Sequence, residues 1–173
     1  MKRFHIFDFD GTLIDTPLPE DGAAEYERIT GNKYPHKGWW GREESLHPGY
    51  KYPVVPEVFD AYTKARADGD VVVLQTNRLP KLRTHIDRIL DLHGMTFDHK
   101  FYQDGRSKSD RLVHAVTKIM VGFGCDKEFC DMSDDVEIVV WEDMDEQVRD
   151  LETLYHRFPS IKIKVNHVQY QNR

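Results

Sequence analysis

Phe4-His5-Ile6-Phe7-Asp8-Phe9-Asp10-Gly11-Thr12-Leu13 is the stretch whose reading decides the fold. A short aromatic and β-branched run leads straight into two carboxylates spaced i, i+2, then Gly-Thr. The run predicts a buried strand that ends at a turn glycine. Past a strand's carboxyl end, Asp8 and Asp10 can face one crevice, and in an open parallel sheet that crevice is where ligands bind. Two acids this close repel each other when both are ionised. They call for a shared proton or a divalent cation with oxygen ligands. An ordinary strand ending in an Asp-Gly turn has the same local pattern, so the rest of the chain must arbitrate.

At 173 residues the chain has room for a single domain with a sizeable core and one inserted element. Its net charge of −6 argues against tight non-specific binding to nucleic acid, which needs a basic face, although a local basic patch stays open. Cys125 and Cys130 are the only cysteines, too few for a disulfide framework, and with no second Cys or His pair beside them they are a weak zinc signal. Two reduced thiols and an amino-terminal apolar run cut by Asp8 and Asp10 lead us to expect a cytoplasmic protein without a signal peptide. No uninterrupted apolar run is long enough to span a membrane.

Downstream, apolar strands and amphipathic helices alternate, the pattern of a parallel α/β sheet. Residues 56–67 predict a helix opened by Pro56 and ended by Gly69. Asp70 to Gln75 is the clearest buried strand, and it runs into Thr76-Asn77-Arg78 before a helix over 80–93. A weaker strand over 97–102 precedes a helix over about 109–121 that starts beside Lys108. Cations are disfavoured at a helix amino terminus, so Lys108 hints at a task elsewhere; a solvated lysine is the plain alternative. Val136 to Trp141 is a fourth strand, ending in Glu142-Asp143-Met144-Asp145-Glu146 before a last helix. Ile161 to Val165 alternates as an edge strand would.

Phe7-Asp8-Phe9-Asp10-Gly11-Thr12-Leu13 resembles the first motif of the haloacid dehalogenase superfamily of phosphohydrolases. Thr76 resembles the second motif, although many relatives have Gly where Asn77 stands. Lys108 matches the third best, with Arg106, Lys100 and Lys118 as competitors. The acids after the fourth strand resemble the fourth, with Asp143 the first choice and Glu142 the second. The resemblance implies a three-layer α/β Rossmann-like fold: a five-stranded parallel sheet, helices on both faces, and a small insert after the first strand. It implies phosphomonoester hydrolysis with Asp8 as nucleophile and Asp10 as acid and then base. Mg²⁺ would be held by Asp8, the Asp10 backbone carbonyl and Asp143 or Glu142. Thr76 and Lys108 would stabilise the transferring group.

Thr16-Pro17-Leu18-Pro19, Gly38-Trp39-Trp40, Ser45-Leu46 and Trp141-Glu142-Asp143 look like the superfamily's Swiss Army Knife RNA repair-like domains. Ser107-Lys108-Ser109-Asp110 is similar to the 3′-phosphatase domain of phage polynucleotide kinase. These likenesses imply a phosphatase of nucleic-acid ends or nucleotides. The chain departs from them at Met144, where an Arg is usual, and no His follows until His156.

The segment 15–55 is rich in Pro, Gly and aromatics, and from Arg28 to Tyr52 it carries five Lys/Arg against two Glu. A helix is expected over 20–29 and loop beyond it. So long a loop is read either as a cap whose Trp39 and Trp40 bind substrate together with Asn77 and Arg78, or as an insertion packed on the core. Three functions remain in view: a nucleotide or nucleic-acid-end phosphatase, a small-metabolite phosphatase, or a non-catalytic binding protein on the same frame.

Overall fold

In the computed structural model, which describes residues 1–170, the strands are β1 (Lys2–Phe7), β2 (Val71–Gln75), β3 (His99–Phe101), β4 (Val136–Glu142) and β5 (Lys162–His167). All pair in parallel, in the order β3-β2-β1-β4-β5, so the opening stretch is the central strand. The helices are α1 (Pro19–Thr30), α2 (Pro56–Ala67), α3 (Arg83–Leu92), α4 (Lys108–Gly122), α5 (Asp145–Glu152) and α6 (Leu154–Arg157).

A strand buried along its whole length, as β2 is, needs cover on both faces. Alternation along the strands supplies two apolar surfaces. Phe7, Val72 and Leu74 pack with Val58 and Tyr62 of α2 and Ile86 and Ile89 of α3. Phe4, Ile6, Val73 and Ile138 pack on the other side with Leu112 and Val116 of α4, Leu151 of α5 and Leu154 of α6. The result is the expected three-layer α/β sandwich.

Departures from the expected elements have local causes. The third strand spans only His99–Phe101; just before it, the Asp98 carboxylate accepts from Val72 N (2.9 Å), a side chain standing where a ladder carbonyl would. The last helix is split into α5 and α6 at Thr153, whose hydroxyl donates to the Asp150 carbonyl (2.5 Å). The helix expected over 80–93 opens with a 3-10 turn, Pro80–Leu82.

Between β1 and α2 the chain leaves and returns through a narrow neck. Asp15 N donates to Pro53 O and Val55 N to Leu13 O, at 2.8 and 2.9 Å. Outside the neck lie α1 and a loop with one 3-10 turn, Glu43–Leu46. Its aromatics mostly face inward: Trp39, Tyr50 and Tyr52 are buried in the core that also contains Phe7. Trp39 lies so close to α1 that a Cβ on Gly22 would sit 2.1 Å from the indole. Among the described residues no helix is long and apolar enough to cross a membrane.

Candidate active site

Register assembles the site. Phe7 pairs with Leu74 on one side and Trp141 on the other, so the next residues, Gln75, Asp8 and Glu142, stand in one row at the carboxyl edge. Phe7, Leu74 and Trp141 point toward α2 and α3. By the two-residue alternation, the row after them points the opposite way, toward the amino terminus of α4. Lys108 is the first residue of α4 and meets that row. Its Nζ donates to Asp8 Oδ1 (2.8 Å) and, at very short range, to Glu142 Oε2. Gln75 Nε2 donates to the Lys108 carbonyl (2.8 Å), fixing the turn from which the ammonium projects.

A lysine at this helix end is tolerated because other groups serve the end. Ser107 Oγ accepts from Asp110 N (3.2 Å), and Asp150 accepts from Ser109 N and Ser109 Oγ at 2.8 and 2.9 Å. Lys108, only 3% exposed, is thereby freed to face the acids. Burial works to lower its basicity, but Asp8 and Glu142 outweigh burial and hold the ammonium above its ordinary range. Burial and the Asp8 charge push the Glu142 carboxyl up to about 7 against the pull of Lys108. One ammonium does not neutralise this crowd of carboxylates.

Asp8, Glu142 and Asp143 each offer a carboxylate oxygen within 4.8 Å of the others. Hard oxygen donors in excess of local positive charge suit Mg²⁺ or a similar divalent cation. The Asp10 side chain lies outside that group and is held elsewhere. Arg78 donates from Nε to Asp10 Oδ2 (2.9 Å) and from Nη2 to Oδ1 (2.8 Å), and Thr16 Oγ1 donates to Oδ1 (2.7 Å). Thr12 Oγ1 lies 3.0 Å from Asp8 Oδ2 and 3.3 Å from Asp143 Oδ1, between the two acids.

These groups open onto a cavity of about 340 Å³ whose polar floor includes Asp8, Asp10 and Lys108 and whose apolar mouth is Leu18, Trp40 and Met144. A larger, shallow groove near Met1 and Asp98 lies at the opposite end of the strands and contains none of these acids.

The sequence-derived candidates fall into three groups. Asp8, Asp10, Lys108, Glu142, Asp143, Asn77, Arg78 and Trp40 all line the cavity. Thr76 is fully buried behind it, where its hydroxyl accepts from Arg78 N (3.0 Å) and shapes the turn. Trp39, expected beside Trp40 as a substrate contact, is turned away instead. It is 6% exposed, packs on Tyr34 and Tyr50, and donates from Nε1 to the Pro17 carbonyl (3.0 Å). Its polar atom has a partner inside, so the ring is buried without cost. Arg78 is 3% exposed, and its tie to Asp10 makes it more than a surface contact for substrate.

Sequence reasoning did not single out Thr12, Gln75 or Arg111 as functional. Thr12 lies next to the first motif and Gln75 ends a strand, both usable cues. Arg111 carried one faint signal, a second cation in the first turn of a helix.

The chain matches no protein-family model and no curated protein sequence. Solved structures do match. One, from the Pnkp1/Rnl/Hen1 complex, has a TM-score of 0.55 and 14% identity over 98% of this chain and 47% of that one. The fold of this chain is shared with solved phosphatases and is the one that the resemblance of its first motif implied. The class C acid phosphatase from Bacillus anthracis shares it with a TM-score of 0.56 and 16% identity, covering 96% of this chain and 66% of that one. CbbY from Rhodobacter sphaeroides, solved in complex with phosphate, does so with a TM-score of 0.53 and 14% identity, covering 98% and 88%. The chain thus spans about half the length of the Pnkp1-complex chain it matches. At these identities the likeness is one of fold, and activity must be argued from the side chains.

Proposed function

We propose that this protein is a Mg²⁺-dependent phosphomonoesterase acting through an aspartyl-phosphate on Asp8. The observation that carries the reading is the buried contact of Lys108 Nζ with both Asp8 and Glu142 at the carboxyl edge of the sheet. A lysine so placed orients the Asp8 carboxylate and also presents positive charge to an incoming phosphoryl group. Asp8, Asp143 and Glu142 would hold the cation, which when bound offsets the repulsion between carboxylate and phosphate.

An Asp8 oxygen attacks phosphorus, the bond to the leaving oxygen breaks, and Asp10 gives that oxygen a proton. Asp10 then takes a proton from water, whose oxygen attacks phosphorus, and the P–O bond to Asp8 breaks to release phosphate. The Thr76 hydroxyl, buried behind the cavity, accepts from Arg78 N and so holds the turn that presents Asn77 and Arg78 to the phosphoryl group.

The leaving group favoured here is a nucleoside, free or at a nucleic-acid end. Trp40 is 39% exposed at the mouth, with the Arg78 guanidinium 5.0 Å from its ring centre, and Met144 is exposed close by. Such a rim offers a base a stacking face, which a sugar phosphate does not need. The modest cavity favours a second reading, a small-metabolite phosphatase. On either reading residues 15–55 act as a small cap.

The test is phosphate release, with and without Mg²⁺, from 3′- and 5′-phosphorylated oligonucleotides, nucleotides and sugar phosphates, with Asp8→Asn as the blank. Metal-dependent release from oligonucleotide ends or nucleotides supports the reading. Release only from sugar phosphates selects the second. No release anywhere removes both.

A further inference from the structure

Arg111 is a charge that the proposed chemistry has not used. It sits one turn after Lys108 on α4, is 1% exposed, and forms no ion pair with a carboxylate among the described residues. Burying a guanidinium without a direct ion pair is costly: burial holds its basicity below the ordinary arginine range, although Asp104, Asp8, Glu142 and Asp150 pull it back up from a distance. Its contacts run to the loop after β2: Nη1 donates to the Thr76 carbonyl (2.6 Å) and Nη2 to Asn77 Oδ1, while Nε has no partner among the described residues.

Chemistry fixes what this does to Asn77. Arginine has donors only, so the amide must turn its oxygen to Arg111, and its NH₂ is aimed away from that contact. Asn77 lines the cavity that holds Asp8 and Lys108. We infer that Arg111 is a positioning residue that locks the Asn77 amide so that Nδ2 donates to an oxygen of the bound phosphoryl group. The first turn of α4 then serves the anion twice, directly through Lys108 and through Asn77 by way of Arg111. This rests on the phosphatase reading for its meaning in turnover, but not for its test.

The test is the affinity for inorganic phosphate with Mg²⁺ present, measured by calorimetry on wild type, Asn77→Ala, Arg111→Gln and the double variant. It is paired with kcat and KM on whichever substrate turns over. The Asn77 side chain is exposed, so Asn77→Ala is expected to fold normally. Loss of one such donor weakens the transition state on the order of 10²-fold in kcat/KM and weakens phosphate binding in the same direction. Arg111→Gln should lose as much, and Asn77→Ala on top of it nothing further, because both remove one interaction. Arg111→Lys, which keeps the charge but cannot hold both acceptors, should recover only part. Wild-type phosphate affinity in Asn77→Ala overturns the inference, whether or not the arginine variants fold. So do additive losses, or absence of phosphate binding to wild type. An inactive wild type that still binds phosphate in an Asn77-dependent way would sink the phosphatase reading and leave this one standing.

Discussion

Arg78 holds both oxygens of Asp10 in its fork, at 2.9 and 2.8 Å, while its third nitrogen holds the Trp40 carbonyl and Ser45 Oγ, each at 2.6 Å. The carboxylate assigned to proton transfer is therefore tied through one side chain to the segment that roofs the cavity. For Asp10 to serve a leaving oxygen, one of its own oxygens must be released from the fork. Arg78→Lys keeps a cation but loses the bidentate geometry. We expect kcat to fall on the order of 10²-fold, as for a small misplacement of a reacting group. Steady-state kinetics checks it, and a kcat within about twofold of wild type would refute the assignment.

The neighbouring tryptophans should separate cleanly. Trp39→Ala empties a buried site and should cost about 3–5 kcal/mol of stability, seen in urea unfolding. Gly22→Ala should be destabilising for the opposite reason, since a methyl there collides with the same indole. Trp40→Ala should leave unfolding nearly unchanged and raise KM for nucleotide substrates. Equal stability losses for the two tryptophans would contradict the packing described.

Metal dependence has a readout without turnover. Mg²⁺ added to EDTA-treated protein at about 100 times its dissociation constant stabilises by about 2.7 kcal/mol. For a chain of this size that is an upward shift in Tm of roughly 5–10 °C. Asp143→Asn should abolish the shift along with the activity. A shift that survives in this variant would place the cation elsewhere.

His5 gives a pH dependence independent of the site. Burial lowers its basicity; Asp70, 3.0 Å from Nε2, and Asp68 pull it back up, and Arg3 adds to the lowering. Its Nδ1 is buried without a partner among the described residues, so a second ring proton would find no acceptor. With the folded value below the unfolded one, the unfolded chain binds more protons between them. Stability from this group is full above about pH 6.5 and is lost as pH falls below it. His5→Gln cannot titrate, so the unfolding free energy of wild type relative to this variant should shrink on acidification. Parallel curves between neutral pH and pH 5 would show that His5 does not contribute.

Much of this was legible in the sequence because the relevant signals are local. Five apolar runs, each followed by a helix or a turn, spell out the parallel sheet. Asp8, Lys108, Asp143 and Glu142 stand at the ends of these elements, where side chains meet a crevice by construction. Trp39 and Trp40 could not be told apart, because a loop has no period to say which side faces in. Arg78 was read as a substrate contact, since a tie between residue 78 and residue 10 depends on how the chain closes. Arg111 went unremarked for a similar reason. Helix periodicity ranks apolar faces, and a buried cation does not announce itself there.

At the centre of the row formed by Gln75, Asp8 and Glu142, the sheet ladder itself holds the chain: Asp8 N donates to the Trp141 carbonyl at 3.1 Å. Amides between central strands exchange with solvent only when those strands separate, so hydrogen exchange should place this row in the slowest-opening unit of the molecule. The apolar mouth, carried by loops, belongs to a faster one. On gentle denaturation, selectivity among substrates should therefore decay before the capacity for chemistry does, and that capacity should end only when the sheet itself comes apart.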